Sequence, residues 1–191
     1  MNHRAHAVAP KEMVLLNWDW NAAVQEAWKL DPRPIIMFDG DCNLCSGAVN
    51  MLLDMDTSNE FRFCSLSSKF GASLLVAHGK EPDDKNSIMV IVRTGEITKD
   101  GLVKSHFLQK SDAVMVIASK LGGAPGWVKA MTALGSVAPA AVSDWLLQII
   151  ADNRYRVAGQ LEESSCRLDL DGEYEGRFLN DYEHPHLFEP M

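Results

Sequence analysis

Cys42 and Cys45 are separated by two residues in the run Asp39-Gly40-Asp41-Cys42-Asn43-Leu44-Cys45. A dithiol switch needs two sulfurs that reach each other within one helical turn, and positions i and i+3 about a helix start let a small ring close. The first of the two sits where backbone N–H groups point outward and the helix dipole is positive. Thiolate, the attacking species, is favoured there. Cys42 is therefore expected as the nucleophile, at the exposed mouth of a helix. Cys45, one turn inside, is expected to resolve the mixed disulfide. The partner is a protein or small-molecule thiol or disulfide, and no cofactor or metal is expected.

The neighbours of the pair act against it. Asp39 and Asp41 flank Cys42, and no Lys, Arg or His lies between Arg33 and Arg62. The helix dipole contributes about 0.3–1 kcal/mol at an exposed site. A carboxylate about 5 Å away, at an effective dielectric of about 20, opposes thiolate by roughly 3 kcal/mol. An ionised aspartate at that range outweighs the dipole unless a basic group arrives from elsewhere in the fold. Asp39 has two readings. It can relay protons to the pair, or Asp-Gly-Asp can be turn and cap chemistry alone. The CxxC also has a competing reading as a zinc half-site in a non-catalytic binding module, with Cys64 and Cys166 as further ligands, although neither belongs to a second CxxC. A redox sensor that changes partners on oxidation is a third reading. Cys64 reads as a small buried residue at a strand end and Cys166 as an inert or secondary thiol.

The surrounding pattern supplies a frame for the pair. Pro34 to Phe38 is a short apolar run that reads as a buried strand, and Cys42 to Met55 has apolar Leu44, Ala48, Val49, Leu52 and Leu53 at helical spacing. Phe61 to Leu66 alternates as a second strand, and Phe70 to His78 is helical up to Gly79. Ser87 to Val92 is the most β-branched run and predicts a third strand. Thr94-Gly95 reads as a turn and Ile97 to His106 as a fourth strand. Ser111-Asp112 is expected to cap a helix that Gly122-Gly123 closes. The order β-α-β-α-β-β-α gives a mixed α/β sheet with helices on its faces. Ahead of it, residues 1–33 form an N-terminal extension with a short helix, Ala22 to Leu30, that Asn21 is expected to cap. Residues 34–124 form the redox domain. Residues 125–159 read as an added helical pair on the same domain, with Trp145, Leu146, Ile149 and Ile150 as its apolar face. Arg154 and Arg156 near the end of that pair suit the helix C-terminus. A hairpin turning at Asp171-Gly172 is expected in the tail, residues 160–191.

Bulk composition narrows the function. The chain has 191 residues, 47% hydrophobic and 23% charged, as a globular domain with extensions should. Of the net charge of -8, residues 160–191 carry -7, from nine carboxylates against Arg167 and Arg177. That tail reads as a solvated extension, and nucleic acid is excluded as a partner by charge repulsion. No apolar run approaches the roughly 20 residues of a membrane helix, and Met1 to Pro10 lacks the apolar core of a signal peptide. Four cysteines in a chain of this length are not a disulfide scaffold. A reducing, cytoplasmic location follows, where a disulfide is transient and catalytic.

Phe38-Asp39-Gly40-Asp41-Cys42-Asn43-Leu44-Cys45 resembles the opening motif of the DCC family of predicted thiol-disulfide oxidoreductases, whose Asp-x-x-Cys-x-x-Cys pattern is matched by Asp39, Cys42 and Cys45. Ser111-Asp112-Ala113-Val114, Leu121-Gly122-Gly123, Asn153-Arg154-Tyr155-Arg156 and Cys166-Arg167-Leu168 are further similarities, in consistent order over residues 34 to 168. The resemblance implies a thioredoxin-like fold and a redox role, with no substrate specified. Thioredoxins place a cis-proline before the third strand, facing the CxxC. Asn86-Ser87 stands there in this chain, so substrate docking is not expected to follow the thioredoxin pattern.

Overall fold

The computed structural model describes residues 17–29, 31–85, 88–97, 103–121, 174 and 176–190. Its elements are α1 (Trp20–Lys29), β1 (Ile35–Phe38), α2 (Asn43–Met55), β2 (Arg62–Ser65), α3 (Lys69–Ala77), β3 (Met89–Ile97), β4 (Val103–Gln109) and α4 (Lys110–Lys120), followed by two 3-10 turns, Asp181–Glu183 and Pro185–Phe188. The sheet order is β2-β1-β3-β4. β1 runs parallel to β2 and antiparallel to β3, and β3 pairs antiparallel with β4. With helices on both faces, this is the mixed α/β, thioredoxin-like arrangement the element order predicts.

β1 is buried at all four positions because both faces of the sheet are covered. Ile35 and Met37 point to one core, with Trp28 of α1, Phe70, Leu74 and Leu75 of α3, and Phe188. Ile36 and Phe38 point to the other, with Val49, Leu52 and Leu53 of α2 and Ala113 and Ile117 of α4. The alternation along β1 thus sorts the helices, α1 and α3 on one side and α2 and α4 on the other. Among the described residues, no helix is long and apolar enough to cross a membrane.

Several expectations shift. Asp19, not Asn21, caps α1, its Oδ1 accepting from the N–H groups of Asn21 and Ala22 at 3.0 Å each. Thr94-Gly95 is not the hairpin turn. β3 continues through it to Ile97, and Gly95 (φ +80°) sits where the β3–β4 register shifts between Arg93 and Ile97, so its left-handed backbone makes a bulge. The cap of α4 is Gln109 rather than Ser111-Asp112, because β4 runs directly into the helix.

The largest departure is at the C-terminal end. Residues 176–190 are a strap on the domain, not a solvated tail. The Phe63 N–H donates to the Arg177 carbonyl (2.7 Å) and the Leu179 N–H to the Phe63 carbonyl (2.9 Å), which covers the outer edge of β2. Arg177 is buried, pairs with the buried Asp56 at the end of α2 and donates through Nε to the Phe61 carbonyl at 3.2 Å. Asp181 accepts from the Lys69 and Phe70 N–H groups (2.7 and 3.0 Å) at the start of α3. Net charge gives no sign of these pairings, since it does not register what Arg177 and Asp181 bind. The helical pair at 125–159, Gly122-Gly123, Asn86-Ser87 and the Asp171-Gly172 hairpin lie outside the described residues.

Gly71 in α3 fixes how closely this helix approaches the end of β2. A Cβ there would stand 2.2 Å from the Ser65 carbonyl oxygen and 3.0 Å from the Leu66 Cα, both backbone atoms. Alanine in a helix interior ordinarily gains about 1 kcal/mol over glycine. Here overpacking should prevail, and Gly71→Ala should destabilise the fold by about 1–3 kcal/mol. Urea unfolding measures it, and a gain in stability would show that the helix has room to move away from β2.

Candidate active site

β1 ends at Phe38, and the chain turns at once. The Cys42 N–H donates to the Asp39 carbonyl (3.3 Å), and the Asp41 N–H donates to Asp39 Oδ1 (3.1 Å), so the Asp39 carboxylate closes the turn it begins. Gly40 lets the turn lie against β2, since a Cβ there would come within 2.7 Å of Ser65 Oγ. The Leu66 N–H donates to the Phe38 carbonyl at 2.8 Å, which ties the same place to the end of β2. Cys42 is the N-cap of α2 in extended conformation (φ −108°, ψ 118°), with no side-chain capping bond, and its carbonyl accepts from the Ser46 N–H at 3.0 Å.

Cys42 and Cys45 therefore stand one helical turn apart and lie close together, both as free thiols. Their exposure differs from the expectation. Cys42 is 0% exposed, while Cys45 is partly exposed. Of the two residues, the one that solvent reaches is the second. Directly after Cys45, the buried Ser46 hydroxyl has no hydrogen-bond partner among the described residues. A hydroxyl so placed costs about 1–3 kcal/mol.

A basic group does arrive from elsewhere. Lys85 Nζ donates to Asp41 Oδ2 (2.7 Å) and to Ser67 Oγ (2.8 Å) and stands 4.0 Å from Asp39 Oδ1. Ser67 Oγ in turn donates to Asp41 Oδ2 at 2.8 Å. The Lys85 hydrogen bond, helped by Ser67, holds the Asp41 carboxyl below the usual carboxylate range. Asp39 is 2% exposed, so it is the carboxylate in the turn most in need of a compensating charge. Lys85 lies far along the chain from the cysteines, so no local pattern around them points to it. The pairing of Met37 with Met89 starts β3 beside the end of β1, so the residues just before β3 must sit at the turn. Beside this cluster lies a cavity of about 290 Å³, with Trp18, Leu66, Ala72 and Pro82 among its apolar walls and Ser67, Asp83 and Lys85 among its polar ones.

Cys64 stands apart from the pair. Cys64 packs with α1 and α3, on the sheet face opposite α2. Its Sγ donates to the Ser65 carbonyl (3.7 Å) and lies 3.6 Å from Ser68 Oγ, and burial pushes its thiol up to about 12. That is the small buried residue expected. Among the described residues, no three His, Cys, Asp or Glu side chains gather where they could hold a metal ion. Cys166, Arg154 and Arg156 lie outside the described residues.

The DCC1-like thiol-disulfide oxidoreductase family matches residues 36–160. The chain is similar to a chloroplastic DCC family protein of Arabidopsis thaliana, 33% identical over 150 residues that span 78% of each chain. It is also similar to the uncharacterized protein YuxK of Bacillus subtilis, 32% identical over 137 residues, 72% of this chain and 88% of that one. No solved structure matches significantly.

The unequal burial of the pair has a direct readout. With the reduced, folded protein and a limiting alkylating agent, peptide mapping should find Cys45 labelled first among the three described thiols. Cys42 should follow more slowly, at the rate at which the first turn of α2 opens, and Cys64 should react only on unfolding. Equal early labelling of Cys42 would show that the mouth of α2 opens freely in solution.

Proposed function

The chain belongs to the DCC1-like thiol-disulfide oxidoreductase family, and from that premise we propose that Cys42 and Cys45 are the dithiol through which it exchanges electrons with a disulfide substrate. The supporting observation is the placement of two free thiols at the N-cap and first turn of α2, directly after the central strand. Nearby first-turn N–H groups of α2 favour negative charge at the cap.

The exchange runs in two displacements. Cys42, as thiolate, attacks one sulfur of the substrate disulfide. A bond forms between Cys42 Sγ and that sulfur, and the other substrate sulfur leaves as thiolate and takes up a proton. Cys45 then loses its proton and attacks Cys42 Sγ. The Cys42–Cys45 disulfide forms, and the second substrate sulfur leaves and is protonated. Two electrons and two protons pass to the substrate, and a dithiol donor returns the pair to its reduced form. Asp39, buried in the turn that holds Cys42, is proposed to carry protons to and from the pair. Since Cys42 is sealed, substrate enters past the partly exposed Cys45, and the first turn of α2 opens for the first displacement. A protein or small-molecule disulfide in a reducing, cytoplasm-like compartment fits this chemistry.

The sealed cap also suits a redox sensor, in which oxidation itself is the signal. Turnover with a dithiol donor distinguishes the two, since an enzyme cycles and a sensor stops after one oxidation. For the exchange itself, Cys42→Ser should reduce disulfide reductase activity to background. Cys45→Ser should accumulate a mixed disulfide on Cys42, seen as the added mass of a small-molecule disulfide half. Trapping on Cys45 in the Cys42→Ser protein instead would reverse the two roles. Wild-type turnover by Cys42→Ser would remove the pair from the reaction.

A further inference from the structure

We propose that Lys85 is the positioning residue that sets how readily the Cys42–Cys45 pair gives up its protons, acting through the carboxylates of Asp39 and Asp41. The inference rests on the reading of the pair as a redox dithiol. The turn brings two acidic groups to the cap of α2, one of them at 2% exposure. A charge so close in a partly desolvated turn acts through a lower dielectric than water supplies. Two ionised carboxylates would oppose thiolate at either sulfur more strongly than the helix dipole favours it.

Lys85 changes that balance. Its ammonium lies between the carboxylates, 2.7 Å from Asp41 Oδ2 and 4.0 Å from Asp39 Oδ1, with its side chain 29% exposed. With Lys85 the charge of the three groups is −1, and without it −2. Charged groups at this turn include Asp39 and Asp41 from the turn itself and Lys85 from the connection before β3, with Asp83 and Lys69, of opposite sign, on the wall of the neighbouring cavity.

Lys85 is not what closes the turn. The bond from the Asp41 N–H to Asp39 Oδ1 and that from the Ser67 hydroxyl to Asp41 do not involve the lysine. The Cys42 N–H bond to the Asp39 carbonyl is likewise independent of it. What Lys85 adds to this framework is positive charge. Removing it should leave the fold in place and change the electrostatics at the sulfurs.

The test is a titration of the reduced protein by its far-ultraviolet thiolate absorbance, in a Cys166→Ser background. Cys64, pushed up to about 12, stays silent in the working range. The midpoint is preferred to a reaction rate, because a less acidic thiol is also a better nucleophile and returns part of any loss in rate. An opposite charge within about 4–6 Å typically moves a midpoint by about 1–3 units, and one that is partly exposed and acts through the carboxylates between should move it less. Lys85→Met should therefore raise the midpoint by about half to one pH unit. Lys85→Arg should keep the wild-type midpoint. Lys85→Met combined with Asp41→Asn should bring it back toward wild type, since the net charge of the turn is again −1. Each variant is checked by its urea midpoint, which a purely structural lysine would move without moving the titration. An unshifted midpoint in folded Lys85→Met, or a shift in Lys85→Arg as large as in Lys85→Met, overturns the proposal. If disulfide turnover is absent from every protein while the midpoints move as stated, the exchange reading fails and this one stands.

Discussion

Ile35-Ile36-Met37-Phe38 is covered on both faces and paired on both edges, and that constraint decides where the chain can place its two sulfurs. A strand with no free edge and no free face has one register open to it, because a slip of one residue would exchange the two cores. The residues that follow it must leave the sheet at a single point, between the end of β2 and the start of β3. Asp39 to Cys42 occupies that point. The parallel neighbour supplies Ser65 and Ser67 to the turn, and the antiparallel neighbour supplies Lys85. The dithiol is thus held by one strand and its two partners together, not by α2 alone.

A second theme is the handling of charge at the two ends of α2. Each end has a buried carboxylate, Asp39 before the N-terminus and Asp56 after the C-terminus. Near the N-terminus a negative charge suits the helix dipole, and one lysine at 4.0 Å accompanies it. At the C-terminus the dipole disfavours it. There Asp56 accepts from the Glu60 and Phe61 N–H groups, at 2.9 and 3.1 Å, and is paired with the buried Arg177. Arg62 shows the converse case. Its buried guanidinium donates to the carbonyls of Ala27 (2.7 Å) and Asp31 (2.8 Å) and lies over the Trp28 ring. Burial pulls its pKa down to about 10, opposed by Asp31 at 3.6 Å.

What was legible in the sequence was local. The apolar run of β1, the helical spacing after Cys42 and the β-branched core of β3 each follow from a period that a window of residues contains, and the sheet built from them has the order these elements require. The family resemblance rested on short ordered motifs, and the comparisons agree with it. What was not legible depended on partners far along the chain. Lys85 is more than 40 positions from Asp39, and Arg177 more than 100 from Asp56, so neither pairing leaves a mark in any window. The burial of Cys42 is of the same kind, since the spacing of CxxC specifies a helix start and says nothing about what packs over it. Gly95 was misread because a glycine with positive φ serves a turn and a bulge equally well.

The strap from Arg177 to Phe188 has a bearing on biosynthesis. It closes the edge of β2 and supplies Phe188 and Phe178 to the two cores, yet it is translated after every strand it stabilises. A nascent chain that has already emitted β1 to β4 therefore presents an open strand edge, with Asp56 still waiting for its guanidinium, until residues 177–188 have followed. An open strand edge is a template for pairing with another chain, and docking of the strap is what closes it.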